Sequence, residues 1–421
     1  MEAPPQTDLQ SQLELLRRRM AAAVERTNAR LAEQREAAKR QPPLEEFVAG
    51  SEVETALGKH FESTRRWQHW QSHGSMEVSR LEALPGDLLR DISAGEICDA
   101  PPEKWAFLDT ETTGLAGGSG TCAFLIGVGR IRPGGRGFEV RQFFLRDYPE
   151  EPSVLAALTD SLADAEVLVT YNGKSFDVPL LETRYRLARA QAPFERMAHL
   201  DLLYGARRLW RLRFESCRLV ELESRILGHE REGDVPGAMI PEIYFDYVRS
   251  GKAARLAPVF THNALDIVSL ACLTGIVPWA FRESGEVELK HAAEFLSLGR
   301  WVEQAGQAER ARDLYREAIR RRPPLRDDLL YRAMWDLAGL EKKLGAFDAA
   351  LALWGDLAAI RNEHRAEALE ALAKHYEHKE KHYAKALEYT EAALAIEPTA
   401  ELAKRRERLV KKRGQVMLSL A

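Results

Sequence analysis

The chain has 421 residues, 45% of them hydrophobic and 29% charged, which is the composition of a soluble globular protein with room for two or three domains. Its formal net charge of −4 excludes a globally basic surface, so any binding to nucleic acid has to come from local basic patches. The four cysteines lack CxxC spacing, and neither a membrane-spanning apolar run nor a signal peptide is recognisable, so we expect a cytoplasmic protein without disulfides.

The N-terminal part of the chain predicts a helix followed by a leader segment. Apolar residues recur at near-helical spacing among arginines over residues 9–40, and Pro42 and Pro43 end the pattern. This basic amphipathic helix, assigned to residues 1–46, either touches a phosphate backbone or is simply solvated. Residues 47–102 are mixed in character, and we interpret them as a leader packed on the next domain.

Residues 103–282 alternate between strand and helix. Three apolar runs separated by turn signals, at 105–109, 122–131 and 138–145, predict an antiparallel meander. A buried strand at 166–171 follows between two helical stretches, and the remainder reads mainly as helix. This order predicts an α/β fold with a ribonuclease-H-like mixed sheet flanked by helices.

Residues 291–421 are predicted to be entirely helical and to contain a repeat. The pattern that starts at Gly306 returns at Gly345 and Lys381, at spacings of 39 and 36 residues. It resembles three degenerate tetratricopeptide units, which implies an all-α superhelical domain with a groove for a protein partner. The basic helix that begins at Ala400 is either a polar cap or a binding patch. The recurring apolar positions include Ala311, Tyr315 and Ala318, then Ala350, Trp354 and Leu357, then Ala386, Thr390 and Ala393.

The first predicted strand of the α/β domain ends in an acid-x-acid pair, Asp109 and Glu111. Because side chains alternate along a strand, both carboxylates project from the same face. Two crowded carboxylates repel each other, and a hard divalent cation with oxygen ligands allows both to stay ionised. The pair therefore predicts a metal site, with a solvated strand end as the alternative for so short a motif.

Two further segments offer candidate site residues. Asn172, Lys174 and Asp177 follow the buried strand, and ligands collect at strand ends in α/β sheets. The alternative is an ordinary helix N-terminus, which an acid in the first turn stabilises. His262 and Asp266 are four residues apart on a predicted helix and therefore share one face, although such a pair also occurs on solvated surfaces.

In order, these segments resemble the three motifs of the DEDD superfamily of ribonuclease-H-like 3′-5′ exonucleases: Asp-x-Glu, Asn-x3-Phe-Asp and His-x3-Asp. The runs 215–219 and 234–237 narrow the resemblance to the YprB-like branch, whose bacterial members often carry tetratricopeptide repeats. The resemblance implies a phosphodiester hydrolase with two divalent cations, Mg²⁺ or Mn²⁺. Its implied metal ligands are Asp109, Glu111, Asp177 and Asp266.

The last of these motifs also implies a general base. The superfamily commonly has Tyr-x3-Asp or His-x4-Asp there, and His262 occupies the tyrosine spacing. An imidazole, with a reference pKa of about 6.5, is a better base than a phenol, so we predict that His262 is catalytic together with the four acids. The alternative is that the imidazole only orients Asp266 from one turn away.

A single-stranded nucleic acid end is the expected substrate. The segment 207–213 interleaves a tryptophan with arginines, as a single-strand channel does, although a solvated amphipathic helix explains it equally well. The candidates for substrate contacts are Arg207, Arg208, Trp210 and Arg211 in this segment, together with Asn172, Lys174 and Asn263. The alternative for Asn172 and Asn263 is that they support the carboxylates. The alternatives for the whole protein are an interaction scaffold with an idle nuclease fold, and a structure-selective endonuclease.

Overall fold

A seven-stranded mixed sheet forms the centre of the first of two units in this computed structural model. The structure describes residues 13–26, 29, 41–93, 95–114, 120–283, 285, 287, 289–321 and 323–420. The first unit comprises the described residues up to Leu203 together with Arg218–Gly275, and the second comprises Tyr204–Cys217 and the described residues from Ile276 onward. All four cysteines are free, as expected.

The described part of the chain contains nine strands: β1 (Gly50–Thr55), β2 (Gly58–Trp67), β3 (Ser72–His73), β4 (Met76–Glu77), β5 (Trp105–Thr112), β6 (Ala123–Arg132), β7 (Gly137–Phe144), β8 (Val167–Thr170) and β9 (Ala198–Asp201). Strands β3 and β4 form a hairpin of their own, and the other seven form one sheet in the spatial order β1-β2-β7-β6-β5-β8-β9.

The central strand β5 joins an antiparallel half of the sheet to a parallel half. It pairs antiparallel with β6, which pairs antiparallel with β7, so the predicted meander is confirmed. On its other side β5 runs parallel to β8, and β8 runs parallel to β9. The run from Trp105 to Leu108 is at most 1% exposed, as expected for a strand covered on both faces. The carboxyl ends of β5, β8 and β9 therefore lie at one edge of the sheet.

Helices flank this sheet. In chain order they are α1 (Ser79–Glu82), α2 (Leu88–Ile92), α3 (Glu151–Ser161), α4 (Asp177–Leu187), α5 (Leu202–Trp210), which continues into the second unit, α6 (Leu219–Leu222), α7 (Ile240–Ser250) and α8 (Ala257–Thr274). Helix α8 packs on β5, β6 and β7. The stretch Ala254–Arg282 around it is long and apolar enough to cross a membrane, which the sequence analysis overlooked, but 78% of its apolar window is buried inside the protein. We interpret α8 as the core helix of the first unit.

Two glycines in β6 allow α8 to lie close against the sheet. A Cβ atom on Gly127 would stand 2.3 Å from Oδ1 of Asn263 and 2.2 Å from Cδ1 of Ile267. A Cβ atom on Gly129 would stand 2.5 Å from Cγ2 of Ile267. Cβ atoms do not approach other heavy atoms this closely, so any larger residue would displace the side chains of Asn263 and Ile267 from their positions. The seating of α8 on the sheet therefore depends on these two glycines.

The structure differs from the predicted boundaries in two places within the first unit. Residues 47–102, predicted as a leader packed on the domain, contribute β1 and β2 to the sheet itself, because β2 pairs with β7 from Phe61 to Trp67. Strand β9 lies in a stretch that was predicted to be mainly helical. Its four residues are too few to display a period that distinguishes strand from helix.

The second unit consists of paired helices, as predicted. After α9 (Val277–Arg282) they are α10 (Ala292–Gln304), α11 (Ala308–Arg320), α12 (Asp327–Lys343), α13 (Phe347–Ala359), α14 (Arg365–His378), α15 (Tyr383–Ile396) and α16 (Ala400–Leu420). Helices α10 and α11, α12 and α13, and α14 and α15 pack as pairs. The recurring alanines Ala311, Ala350 and Ala386 are all 0% exposed, so the repeat marks the buried positions of these pairs.

The segment Tyr204–Cys217, which the predicted domain 103–282 included, belongs with the second unit. Nε1 of Trp210 and Nη1 of Arg213 both donate hydrogen bonds to Oε1 of Glu294, at 3.1 and 2.7 Å. Glu294 is only 2% exposed, and its other oxygen accepts from two backbone N–H groups at the start of α10. These contacts attach the end of α5 to α10.

The basic final helix α16 neutralises a buried acid. Arg405, Arg408 and Lys412 donate hydrogen bonds of 2.7–3.2 Å to the carboxylate of Glu377, which is 2% exposed. Burial opposes ionisation of this carboxyl, but the hydrogen bonds from Arg408 and Lys412 lower the pKa of Glu377 to about 2. Three of the basic residues thus have an internal role, which favours the cap over the binding patch.

At the N-terminus, residues 13–26 are helical and exposed, in agreement with a solvated helix. Most other residues of the predicted helix 9–40 lie outside the described residues.

We expect Glu294→Ala to destabilise the second unit by about 3 kcal/mol, because it leaves a half-buried guanidinium and a buried indole N–H without their acceptor. Urea unfolding followed by circular dichroism would measure the change. The matched control is Glu309→Ala, which removes a carboxylate that is 66% exposed and paired with Arg312. That change should cost less than about 1 kcal/mol. Equal effects of the two substitutions would contradict a structural role for Glu294.

Candidate metal centre

Asp109 is held in place by a fully buried asparagine. Nδ2 of Asn263 donates to Oδ2 of Asp109 at 2.8 Å, and Nε2 of Gln142 donates to Oδ1 of Asn263 at 2.9 Å. Asn263 is 0% exposed and out of reach of a substrate. Of the two roles predicted for Asn263, a substrate contact or support of the carboxylates, the structure shows the second, because its amide orients the Asp109 carboxylate.

A tight loop between β8 and α4 brings Asp177 to the same edge of the sheet. The carboxylate of Asp201, at the end of β9, accepts hydrogen bonds from the backbone N–H groups of Asn172 at 2.7 Å and Lys174 at 3.1 Å. Asn172 has a φ of 69°, in the left-handed region that asparagine tolerates better than most residues. Asp177 itself accepts a hydrogen bond of 2.5 Å from the hydroxyl of Thr110. The backbone of Asn172 and Lys174 thus builds the loop, while their side chains stay predicted substrate contacts.

Helix α8 presents His262 and Asp266 to Glu111 at the end of β5. One possible ligand atom from each of these three residues lies within 4.8 Å of the other two. Nε2 of His262 stands 3.6 Å from Oδ2 of Asp266. In the described part of the chain, Asp109 and Asp177 are not members of this close group. They are instead coupled to it through their charges, as their pKa values show below.

Arg231 is a buried cation of the site that the sequence analysis missed. Its Nη2 donates to Oδ1 of Asp266 at 2.5 Å, and its Nη1 donates to Oδ2 of Asp234 at 3.2 Å. The other oxygen of Asp234 lies 2.8 Å from Nδ1 of His262. Arg231 thus links Asp266 to Asp234, and Asp234 in turn contacts His262. The side chain of Arg231 is 4% exposed, and its anchor Glu223, which binds Nε and Nη2 at 2.7 and 2.6 Å, is 0% exposed.

A second group of possible metal ligands consists of His73, Glu223 and His229, and it includes the carboxylate that anchors Arg231. Both oxygens of Glu223 already accept hydrogen bonds from Arg231, and one also accepts from the hydroxyl of Ser269. Nε2 of His73 lies 2.7 Å from the same hydroxyl, and burial, together with the charge of His229, lowers the pKa of His73 to about 4. Protein contacts therefore occupy both oxygens of Glu223, and we interpret this group as support for Arg231.

The clustered acids raise one another's pKa. Burial, followed by the charges of Asp266, Glu111 and Asp177, raises the pKa of Asp109 well above its ordinary value. Burial and the charges of Asp266 and Asp177 raise the pKa of Glu111 to about 8. Burial also raises the pKa of Asp177 to about 6, although the Thr110 hydroxyl opposes this. A divalent cation would relieve such repulsion, and a carboxylate-rich donor set suits Mg²⁺ or Mn²⁺.

Two residues of this site were missed, Arg231 and Asp201, and each binds a group that is distant in the sequence: Arg231 binds Asp266, and Asp201 binds the backbone of Asn172. Arg231 lies in the run Glu230-Arg231-Glu232-Gly233-Asp234, which reads like a solvated charged loop. The sequence did offer one signal for this segment, Asp234, because the run 234–237 is part of what makes the chain resemble the YprB-like branch. Asp201 ends a strand that the hydrophobic pattern did not reveal, so it offered no comparable signal.

The predicted basic channel lies in the second unit. Trp210 is 1% exposed and its indole N–H is donated to Glu294, so no base can stack on it, and this corrects the predicted substrate contact. Arg207, Arg208 and Arg211 are exposed, and the guanidinium of Arg208 stands 5.5 Å from the ring centroid of Trp301. These three arginines stay predicted substrate contacts.

Comparison with known proteins matches the part of the chain that carries these residues. Residues 106–277 match the family model RNase_H_2, described as RNase_H superfamily. The matched range contains Asp109, Glu111, Asp177, His262 and Asp266. The protein named "Uncharacterized protein YprB" from Bacillus subtilis (strain 168) is 33% identical over 294 residues, which cover 69% of this chain and 68% of that protein.

The raised pKa of Glu111 predicts that, without a bound cation, the acid cluster lowers the stability of the folded protein by an amount that depends on pH. Because the folded protein holds this proton more tightly than the unfolded chain, stability in the presence of a chelator should fall as the pH rises from about 4.5 to about 8. Glu111→Gln should remove this contribution, so the variant should gain stability relative to the wild type across that window. Thermal unfolding of both proteins in EDTA would measure the difference.

Added Mn²⁺ provides the control for this measurement. It should stabilise the wild type more at pH 8 than at pH 5.5, because protons and cations compete for the same oxygens, and it should stabilise Glu111→Gln less at either pH. A difference between wild type and variant that is independent of pH would show that Glu111 does not titrate in this range.

Proposed function

The chain belongs to the RNase H superfamily and, within it, to the YprB-like branch, and on that premise we propose that it is a divalent-metal-dependent nuclease that removes nucleotides from the 3′ end of a nucleic acid. The single observation that carries the proposal is the set of coupled carboxylates at the end of β5. Burial and their mutual repulsion raise the pKa of Asp109 and Glu111, and a bound cation would relieve the repulsion.

The proposed ligands are the four acids of the family motifs, Asp109, Glu111, Asp177 and Asp266. When bound, two divalent cations would activate the attacking water and stabilise the leaving 3′ oxygen in an in-line displacement. Oxygen donors of this kind fit Mg²⁺ and Mn²⁺ better than softer metals.

The protein's own contribution to this chemistry is orientation of the acids. Asn263 donates to Asp109, Thr110 donates to Asp177, and Arg231 donates to Asp266. Each of the three carboxylates therefore has a neighbour that restricts its rotation before a cation binds. Such preorganisation lowers the cost of assembling the site, and it is expected of a reaction centre more than of a solvated acidic patch.

An exposed lysine near the site is suited to attract the phosphate groups of a nucleic acid. The side chain of Lys174 is exposed on the loop that carries Asp177. A cation at this position would attract the backbone of a nucleic acid strand to a site that is otherwise rich in negative charge. We also propose that the paired helices of the second unit bind a protein partner, on the strength of their resemblance to tetratricopeptide units.

Cleavage mode and substrate are tested with linear and circular strands. The purified protein with Mg²⁺ or Mn²⁺ should release mononucleotides from the 3′ end of linear single strands of DNA or RNA, so that a 5′ label stays on a strand that becomes progressively shorter. Circular strands should stay intact. Cleavage of the circles would favour a structure-selective endonuclease. No cleavage of any strand with either cation would favour the scaffold with an idle nuclease fold.

We expect Asp109→Asn to lower the cleavage rate by at least about three orders of magnitude, because it removes a charge that the cations require. The fold should be retained, since removing one charge from a repelling cluster does not destabilise it. Initial rates at saturating Mn²⁺, with circular dichroism as a check on folding, would measure this. The matched control is Asp160→Asn, an exposed acid on α3, which should cleave at the wild-type rate. Wild-type cleavage by Asp109→Asn would contradict the assigned centre.

A further inference from the structure

The contacts of His262 define which of its ring nitrogens is available to a ligand. Oδ1 of Asp234 stands 2.8 Å from Nδ1, and an ionised carboxylate can only accept a hydrogen bond, so Nδ1 carries the proton. The guanidinium of Arg231 is 3.4 Å from the same nitrogen and can only donate, and the shorter contact with Asp234 decides the tautomer. With the proton on Nδ1, the lone pair of the neutral imidazole is on Nε2.

This lone pair points toward the acids and forms no hydrogen bond with Asp266. Nε2 stands 3.6 Å from Oδ2 of Asp266, which is too long for a hydrogen bond. The two side chains are within ion-pair distance, as the predicted alternative of an imidazole that pairs with Asp266 requires, but no hydrogen bond joins them. Two ligand atoms bound at about 2.1 Å to one cation are about 3.0 Å apart at a right angle and about 3.4 Å apart at the tetrahedral angle. The observed separation is close to what one shared cation requires.

The surrounding groups support the same arrangement. Arg231 holds Oδ1 of Asp266 at 2.5 Å, and this leaves Oδ2, the oxygen next to Nε2, for a cation. A ligand atom of Glu111 completes the group within 4.8 Å. His262 and Asp266 are 14% and 18% exposed, so the group is partly shielded from bulk water. A histidine whose second nitrogen is held by a carboxylate is the usual arrangement at protein metal sites.

We infer that His262 is a direct metal ligand through Nε2, sharing one cation with Glu111 and Asp266, and that Asp234 is the positioning residue that fixes its tautomer. The inference rests on the proposed metal centre and deepens it. It reassigns His262 from the predicted general base, because one lone pair does not bind a cation and accept a proton at the same time. A nitrogen ligand makes the centre favour Mn²⁺ over Mg²⁺, which prefers oxygen ligands.

Pulsed electron paramagnetic resonance of the full-length protein with substoichiometric Mn²⁺ tests this directly. The wild type should show the ¹⁴N modulation of a coordinated imidazole, and His262→Ala should lose it. The matched control is His69→Ala, which removes an exposed histidine and should keep the signal. Because the decisive spectrum is that of the wild type, a variant that fails to fold does not spoil the test.

Calorimetric titration provides a second readout. His262→Ala should weaken Mn²⁺ binding by at least about tenfold and Mg²⁺ binding by less, and Asp234→Ala should weaken Mn²⁺ binding by about 10–100-fold. Wild-type protein that binds Mn²⁺ without ¹⁴N modulation would overturn this inference and leave the proposed nuclease centre standing. Absence of Mn²⁺ binding to the wild type would overturn both.

Discussion

Repulsion among the carboxylates at the end of β5 is the constraint on which the rest of the site depends. These acids come from β5, α4 and α8, so the fold itself brings their charges together. Around them, Asn263, Thr110 and Arg231 each donate a hydrogen bond to one acid. Their contacts keep the carboxylates oriented but do not cancel their charge, as the raised pKa of Glu111 shows. The folded protein therefore keeps a site whose charge a divalent cation would balance.

Arg231 shows how the fold accommodates a charge that is almost completely buried. Burial of a guanidinium costs several kcal/mol, and this is offset only where carboxylates satisfy its donors. Glu223 takes two of these donors, and Asp234 and Asp266 take others. Because Glu223 itself accepts a hydrogen bond from Ser269, the orientation of Asp266 depends on a chain of contacts that runs through Arg231 and Glu223 and returns to α8 less than one turn beyond Asp266. Replacing one member of this chain would leave another buried charge without its partner.

The sequence predicted local features better than long-range ones. The meander and the acid-x-acid pair were visible because each depends on a short alternating run. The pairing of β2 with β7 was not visible, because it joins residues about 70–80 positions apart in the sequence, such as Phe61 with Phe144 and Trp67 with Phe138. Trp210 was misassigned for a different reason: an amphipathic helix has one apolar side, and the pattern does not say whether protein or nucleic acid covers it.

The packing of α8 connects the core of the first unit to its site. Because Gly127 and Gly129 have no side chains, the helix lies close enough for Asn263 to reach both Gln142 on β7 and Asp109 on β5. Asn263 is adjacent to His262, so this contact sets the rotation of the helix about its axis. With that rotation set, the residues at one turn's spacing, His262 and Asp266, are directed at the end of β5. The geometry of the site is therefore a consequence of how closely one core helix packs on the sheet, and ligands added later meet side chains that packing has already placed.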